Sequence, residues 1–332
     1  MNPLRLSCLL LAPLLAVAQA LADPLPPVDA GTVLLVIAPH PDDETLCCAG
    51  AIQHVLAGGG QVSIVWLTSG DGSPLAALFA HDNPLSSAAM RRLGALRMAE
   101  ARAAARTLGV GPERQFFLGY PDGGLSRLLS TPQRVQRSRW TGADAVPYAT
   151  ALFPGHPYQG EALRGDFAAL IERVRPTLVL APSVLDTHPD HEAAARLAQE
   201  ASAAHAATVL LWVVHGGEGW PAPRTLLPAL PLPPPPVGAQ LPWQALGLSA
   251  AEEDRKLAAL ERHASQMRVM APFLVAFVRS TELYAAASGT ASAPCVRCAS
   301  ASAGVLQPER TPQAKNMSPQ PATTSRSQPQ GR

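Results

Sequence analysis

The sequence carries little charge: Asp, Glu, Lys and Arg make up 15% of its 332 residues, and the formal net charge is +1. This near-neutral balance provides no basic footprint of the kind that binds nucleic acid, so a nucleic-acid-binding class is excluded. No internal repeat is visible along the chain. Hydrophobic residues reach 47%, so a sizeable core is available, and the 34 prolines indicate loops and tails.

The amino-terminal segment lacks an apolar run long enough to span a bilayer comfortably. Residues 6–17 form a short apolar stretch after Arg5, and the Ala-Leu-Ala at 20–22 fits the small-residue pattern of a cleavage site. We therefore predict an export signal over residues 1–22, a periplasmic or secreted protein, and no membrane span after cleavage. An uncleaved anchor is the alternative interpretation.

Cysteine is scarce, with five in the chain, of which Cys8 lies in the predicted signal. Cys47 and Cys48 are adjacent and are predicted to be small, buried residues. Cys295 and Cys298 form a single C-x-x-C, which in an exported protein is compatible with a disulfide. A metal site at this pair is the weaker alternative, because no second C-x-x-C accompanies it.

Apolar runs of strand length alternate with helical segments along most of the chain. The predicted strands cover residues 33–38, 61–70, 114–120, 177–183 and 208–216. The predicted helices cover residues 44–57, 86–108, 165–174, 190–206 and 249–270. This alternation predicts an α/β fold, with a mostly parallel sheet and helices on both of its faces.

The predicted boundaries define one domain over residues 23–285. Within it, residues 126–164 are predicted to be an insertion that faces the site, and residues 221–242 a proline-rich loop. Residues 286–332 lack the apolar content to fold and are predicted to be a disordered tail.

Two short clusters of histidine and aspartate each follow a predicted strand. The sequence "PHPDDE" at 39–44 follows the first strand, and "THPDH" at 187–191 follows the fourth. Ligands of open α/β sheets bind at the carboxyl ends of the strands, so both clusters are predicted to meet at one edge. Two histidines and a carboxylate are a catalytic zinc set that leaves a fourth position for water. Either cluster alone is more often a simple helix start.

With these motifs the sequence resembles the PIG-L/LmbE-like family of zinc-dependent N-acetylglucosaminyl deacetylases. Further segments agree with the family pattern, namely "WLTSGDG" at 66–72, the R-x-x-E from Arg97 to Glu100, "LGYPDGG" at 118–124, and Lys256, His263 and Gln266 in a carboxy-terminal helix. The resemblance covers residues 30–285 and implies a Rossmann-like fold.

The resemblance also implies roles for the motif residues. His40, Asp43 and His191 would bind one Zn²⁺ per chain, and Asp42 would be the general base that deprotonates the attacking water. His188, in its protonated form, would polarise the amide carbonyl, stabilise the oxyanion and donate a proton to the leaving amine.

Four further residues are predicted to surround this set. Asp190 is predicted to orient one of the histidines. Arg97, Asp122 and His215 are predicted substrate contacts. The alternative for Arg97 is a solvated position on its helix, and for Asp122 a plain turn residue.

These observations predict a secreted zinc-dependent hydrolase that removes the acetyl group from an N-acetylated amino sugar, presented as a small molecule, glycoconjugate or polysaccharide. The alternatives are a zinc amidase for a different acyl amide and a non-catalytic glycan-binding protein. A metal phosphoesterase ranks lower, because such enzymes usually bridge two metals with carboxylates. Iron and cobalt are alternatives to zinc, and the oligomeric state is left open.

Overall fold

The computed structural model of the chain describes residues 24–80, 86–202 and 205–287. The predicted export signal, the C-x-x-C at 295–298 and all but the first two residues of the predicted tail lie outside the described residues. Within the described residues, no helix is long and apolar enough to cross a membrane.

One sheet forms the centre of the described structure. Its strands, in chain order, are β1 (Val33–Ala38), β2 (Gln61–Thr68), β3 (Gln115–Tyr120), β4 (Leu178–Pro182), β5 (Thr208–Trp212), β6 (Gln244–Gly247) and β7 (Thr281–Ala286). The spatial order is β3-β2-β1-β4-β5-β7-β6. The first five strands are parallel, and β7 pairs antiparallel with both β5 and β6. The prediction of a mostly parallel α/β sheet is therefore confirmed.

The α-helices of the described residues fall into two groups that pack separately. They are α1 (Asp43–Ala57), α2 (Pro74–Ala80), α3 (Ser87–Thr107), α4 (Leu125–Ser130), α5 (Gly160–Val174), α6 (Pro189–Ser202), α7 (Ala250–Leu260) and α8 (Ala264–Val275). Helices α1, α2, α3, α7 and α8 contact one another, and α4, α5 and α6 form the other group. Ser249 caps α7 in a capping box with Glu252, and Ser86 caps α3.

The strand order explains why the two histidine–aspartate motifs meet. β1 lies between β2 and β4, is parallel to both, and is almost entirely buried, which suits its continuous apolar sequence. The chain proceeds from β1 outward to β2 and β3, then returns to place β4 on the other side of β1. The turns after β1 and β4 therefore leave the same sheet edge side by side, at the topological switch point.

The predicted single helix over residues 249–270 is wrong. α7 ends at Leu260 and α8 begins at Ala264. Between them His263 is fully buried, and its Nε2 lies 2.9 Å from Glu44 Oε1. This ion pair with a distant part of the chain interrupts the helix, and no glycine or proline in the local sequence marks the break.

Two smaller expectations are also corrected. Cys47 and Cys48 are buried as predicted, but a disulfide joins them; no other cysteine lies among the described residues to pair with either. The segment 126–164 does not line the candidate site. It packs along β3, where the Tyr158 hydroxyl donates to the Gly119 carbonyl at 3.1 Å.

Candidate metal centre

Three side-chain atoms converge at the carboxyl ends of β1 and β4. Asp43 Oδ2 lies 3.3 Å from His40 Nδ1 and 3.2 Å from His191 Nε2, and the two ring nitrogens are 3.3 Å apart. His40 precedes α1, Asp43 is its first residue, and His191 lies in the first turn of α6. The structure thus brings together the three residues predicted as metal ligands.

This triangle fits a tetrahedral zinc ion. Ligand atoms bound at about 2.0–2.1 Å in a tetrahedron are about 3.3–3.4 Å from each other. The three observed separations of 3.2–3.3 Å match that edge length. The donor set of two imidazoles and one carboxylate is also the set that a catalytic zinc takes.

A carboxylate lies behind each of the two histidines. Asp190 Oδ2 is 3.3 Å from His40 Nε2, which places Asp190 in the orienting position predicted for it. Asp186 Oδ2 is 3.1 Å from His191 Nδ1 and also accepts the backbone N–H of His215 at 3.0 Å. Such carboxylates fix the ring orientation of metal-binding histidines. The motif analysis missed Asp186, which lies just before the second motif and four residues beyond the end of β4.

The acidic surroundings keep both histidines cationic in the absence of a metal. Burial lowers the pKa of His191, but Asp43 and Asp186 outweigh it and raise the pKa to about 9. Burial likewise opposes a charge on His40, yet the nearby carboxylates, Asp122 foremost, raise its pKa well above 6.5. Positive charge on these rings would balance the Asp43 carboxylate in the metal-free protein, where a bound cation would otherwise do so.

Asp42 occupies a strained and buried position beside the ligands. Its φ of 122° lies in a region that side-chain-bearing residues rarely adopt. Its backbone N–H donates to Glu44 Oε2 at 3.0 Å, and Arg97 Nη2 donates to its Oδ2 at 3.1 Å. Burial raises the pKa of Asp42 to about 6, against the opposing effect of Arg97. A carboxylate with this pKa is suited to general-base work near neutral pH.

The surroundings of His188 in the metal-free protein disfavour the protonated form that the resemblance implies. Burial and the charges of His40, His191 and His215 lower its pKa to about 4. The backbone N–H of Asp190 donates to His188 Nδ1 at 3.2 Å, so the ring proton resides on Nε2. His188 therefore offers a neutral N–H donor, not an acid.

The predicted substrate contacts Arg97, Asp122 and His215 all line a cavity that His40 and Asp43 also line. Arg97 is buried, so the solvated alternative is wrong, and Gly70 at φ 66° leaves room for its guanidinium. Asp122 accepts the Gly72 N–H at 2.9 Å. Its other oxygen lies 3.4 Å from His40 Nε2, so Asp122 also supports a ligand.

One buried acid of the site was given no role by sequence reasoning. Asp71 accepts a 2.6 Å hydrogen bond from the Tyr148 hydroxyl, and the backbone N–H of Asp122 donates to it at 3.3 Å. Burial, with the charge of Asp122, raises the pKa of Asp71 to about 7. Tyr148 belongs to the segment 126–164, which therefore reaches the site only indirectly.

Comparison with known proteins gives the chain a family context. Residues 35–202 match the PIG-L family, described as GlcNAc-PI de-N-acetylase. The 1D-myo-inositol 2-acetamido-2-deoxy-alpha-D-glucopyranoside deacetylase of Mycolicibacterium vanbaalenii is 31% identical over 287 residues, which is 78% of this chain and 92% of that protein. The enzyme of the same name from Mycolicibacterium smegmatis is 33% identical, over 48% of this chain and 49% of its own length.

The solved structures that are similar to this chain are more distant in sequence. The N,N′-diacetylchitobiose deacetylase of Pyrococcus horikoshii is 20% identical to this chain. The match covers 76% of this chain and 83% of that one, with a TM-score of 0.48.

Proposed function

Since this chain belongs to the PIG-L family of de-N-acetylases, we propose that it hydrolyses the acetamido group of an N-acetylated amino sugar at a zinc centre. The observation that carries the proposal is the triangle of His40 Nδ1, Asp43 Oδ2 and His191 Nε2, whose edges match tetrahedral zinc. The deacetylases similar to this chain act on amino-sugar glycosides, as their names state.

Each residue of the centre has a part in the proposed reaction. His40, Asp43 and His191 would hold the zinc. When bound, zinc supplies Lewis acidity, which acidifies the attacking water and polarises the amide carbonyl. Asp42 accepts the proton of that water, and Arg97 keeps Asp42 ionised until it does.

The remaining steps concern the developing oxyanion and the leaving amine. His188 donates its Nε2–H to the oxyanion, which a neutral imidazole does without being charged. The amine needs a proton to leave, and Asp42, protonated in the first step, returns it. This assignment differs from the protonated His188 that the resemblance implies, because burial and the neighbouring histidines lower the pKa of His188 to about 4 in the metal-free protein.

We propose that the reaction takes place outside the cytoplasm. Residues 1–22 have the composition of an export signal, and the accessible substrates would then be glycans or glycoconjugates.

The direct test is acetate release from N-acetylglucosamine glycosides and oligomers by the zinc-loaded protein. Asp42→Asn is expected to keep one zinc per chain while kcat falls about 10²-fold or more, because only the base is lost. His191→Ala is expected to lose both zinc and activity. Asp254→Asn, an exposed change on α7, is the matched control and leaves both unchanged.

Two results would count against the proposal. Full activity in Asp42→Asn would remove the proposed base. One bound zinc without acetate release from any of these substrates would reject the amino-sugar class and favour a different amide.

A further inference from the structure

One side of the catalytic cavity is apolar. The cavity has a volume of about 290 Å³, and His40 and Asp43, with Asp42, Arg97 and Asp122, line its polar part. The apolar part includes Leu46 and Pro74 and, with them, five side chains that we name the apolar wall: Leu75, Val214, Met270, Phe273 and Leu274. None of these five side chains can ligate a metal strongly or read the hydroxyl groups of a sugar.

The apolar wall is closed at its deep end and open towards solvent. Leu274 and Val214 are 0% and 1% exposed, Met270 and Phe273 are half-buried, and Leu75 is 50% exposed. Apolar surface left facing water gains free energy when another apolar group covers it. The uncovered part of the wall is therefore its rim, around Leu75.

The wall is fixed in place by a kink in α8. Pro272 has no N–H to donate within the helix, and Met270 just before it has a non-helical φ of −142°. Phe273 is stacked on His215 at 5.9 Å between ring centroids, and the Arg224 guanidinium carbon lies 5.2 Å from the centroid of the Phe273 ring. Phe273 is thus a preformed platform next to a residue of the polar part.

The position of the ligands decides which part of a substrate reaches the rim. The ligands are buried, His191 completely, so the scissile acyl group must enter first and ends at the deep end of the cavity. Substituents on the sugar's other atoms then extend towards the opening, where Leu75 lies. A cavity of this volume accommodates a sugar with a small apolar group and is too small for a protein segment.

We propose, on the basis of the function proposed above, that the apolar wall binds an apolar aglycone, an alkyl or aryl group carried on the anomeric oxygen of the amino sugar. The preferred substrate is then an amphiphilic N-acetylhexosaminide. A free amino sugar or a fully polar oligosaccharide leaves the wall uncovered.

The test compares kcat/KM for the methyl and hexyl glycosides of N-acetylglucosamine, below the concentration at which the hexyl compound aggregates. The hexyl-to-methyl ratio is expected to be about tenfold or more in the unaltered protein. Leu75→Ser should lower this ratio at least about threefold, and Leu75→Ser with Met270→Ser should bring it close to one. Leu78→Ser is the matched control, because Leu78 lies on α2 with 51% exposure but does not line the cavity.

A binding measurement separates this inference from the proposed function. Calorimetry on the Asp42→Asn variant is expected to show the hexyl glycoside binding about tenfold more tightly than the methyl glycoside, whether or not turnover occurs. If the hexyl glycoside binds more tightly but no substrate releases acetate, the proposed deacetylase activity is rejected and the proposed role of the apolar wall is supported. Acetate release with equal binding and equal kcat/KM for both glycosides would keep the deacetylase and overturn the wall.

Two further outcomes would also overturn the inference. Faster hydrolysis of an N-hexanoyl sugar than of the N-acetyl sugar would assign the wall to the acyl chain. If Leu75→Ser changes the sedimentation coefficient but leaves the hexyl-to-methyl ratio of kcat/KM unchanged, the apolar wall is a contact between copies of the chain.

Discussion

Asp42 is held between the cation of Arg97 and a group of carboxylates. Removing the cation in Arg97→Met should raise the pKa of Asp42 above its value of about 6, because Arg97 is the largest influence that lowers it. Since the base form is active, the acid limb of the kcat/KM profile should move to higher pH, by about one unit. The measurement is the pH dependence of acetate release.

The matched control for this prediction is Arg92→Met, an exposed arginine on the same helix. Arg92→Met should leave the acid limb where it is. An unchanged acid limb in Arg97→Met, with activity still measurable, would show that Asp42 does not set it.

Asp186 is the residue whose importance the sequence motifs do not reveal. Its carboxylate orients His191 through Nδ1, so Asp186→Asn should weaken zinc binding about 10–100-fold while all three ligands remain. Competition between the protein and a chromophoric chelator measures this affinity. An affinity within twofold of the unaltered protein would contradict the assigned role, and Asp254→Asn again provides the control.

Residues that bear chemistry in a short motif were predictable, whereas residues that support them from elsewhere were not. His40, Asp43 and His191 lie in two clusters that each follow a strand, and the family resemblance of these clusters implies their role as ligands. The role of Glu44 was not predictable, because it depends on His263, which lies more than 200 residues away in the sequence. The lowered pKa of His188 also follows from packing, since burial is its largest cause and three neighbouring histidines add to it.

At the scale of elements, α1 is clamped by the last strand of the sheet. The backbone N–H groups of Gly50 and Ala51 donate to the two carboxylate oxygens of Glu282, at 2.8 and 3.1 Å. A Cβ on Gly50 would lie 2.9 Å from one of these oxygens, so glycine is required for their approach. The clamp fixes the helix whose first residue is the ligand Asp43.

Lys256 completes this clamp from α7. Its Nζ lies 2.8 Å from Glu282 Oε1 and donates to the Leu46 carbonyl at 2.8 Å, and both side chains are 1% exposed. Glu282→Gln leaves the Lys256 charge without its partner and should lower the free energy of unfolding by about 3–5 kcal/mol. Urea unfolding measures the change. The double variant Glu282→Gln with Lys256→Met should recover part of the lost free energy of unfolding. A loss under about 1 kcal/mol in Glu282→Gln alone would contradict the clamp.

Long elements with strong patterns were predictable and short ones were not. The apolar runs of β1 to β5 identified the parallel strands, because buried parallel strands are continuously apolar. β6 has four residues, and β7 lies at the border of a composition typical of disorder. Both are defined by antiparallel pairing with each other and not by their own sequence. α2 and α4, with seven and six residues, carry too few positions to show a helical period.

At the scale of the whole molecule, the fold gathers a dense group of carboxylates and histidines at one edge of the sheet. In the metal-free protein His191, with a pKa of about 9 against a usual 6.5, stabilises the fold below pH 6.5. That contribution is lost as pH rises through about 9. A bound zinc takes the place of these protons, so its apparent affinity rises over the same interval.

Removing zinc should therefore lower the Tm of the protein by more at high pH than at low pH. The Tm difference between the zinc-loaded and the chelator-treated protein is expected to widen from about pH 6 to about pH 9. Zinc at about 100 times its Kd adds about 2.7 kcal/mol, or several degrees in Tm for a domain of this size. Differential scanning calorimetry at a fixed free zinc concentration measures this Tm difference. His191→Asn should abolish the difference at every pH. A difference that stays constant or narrows as pH rises would mean that zinc does not displace the His191 proton.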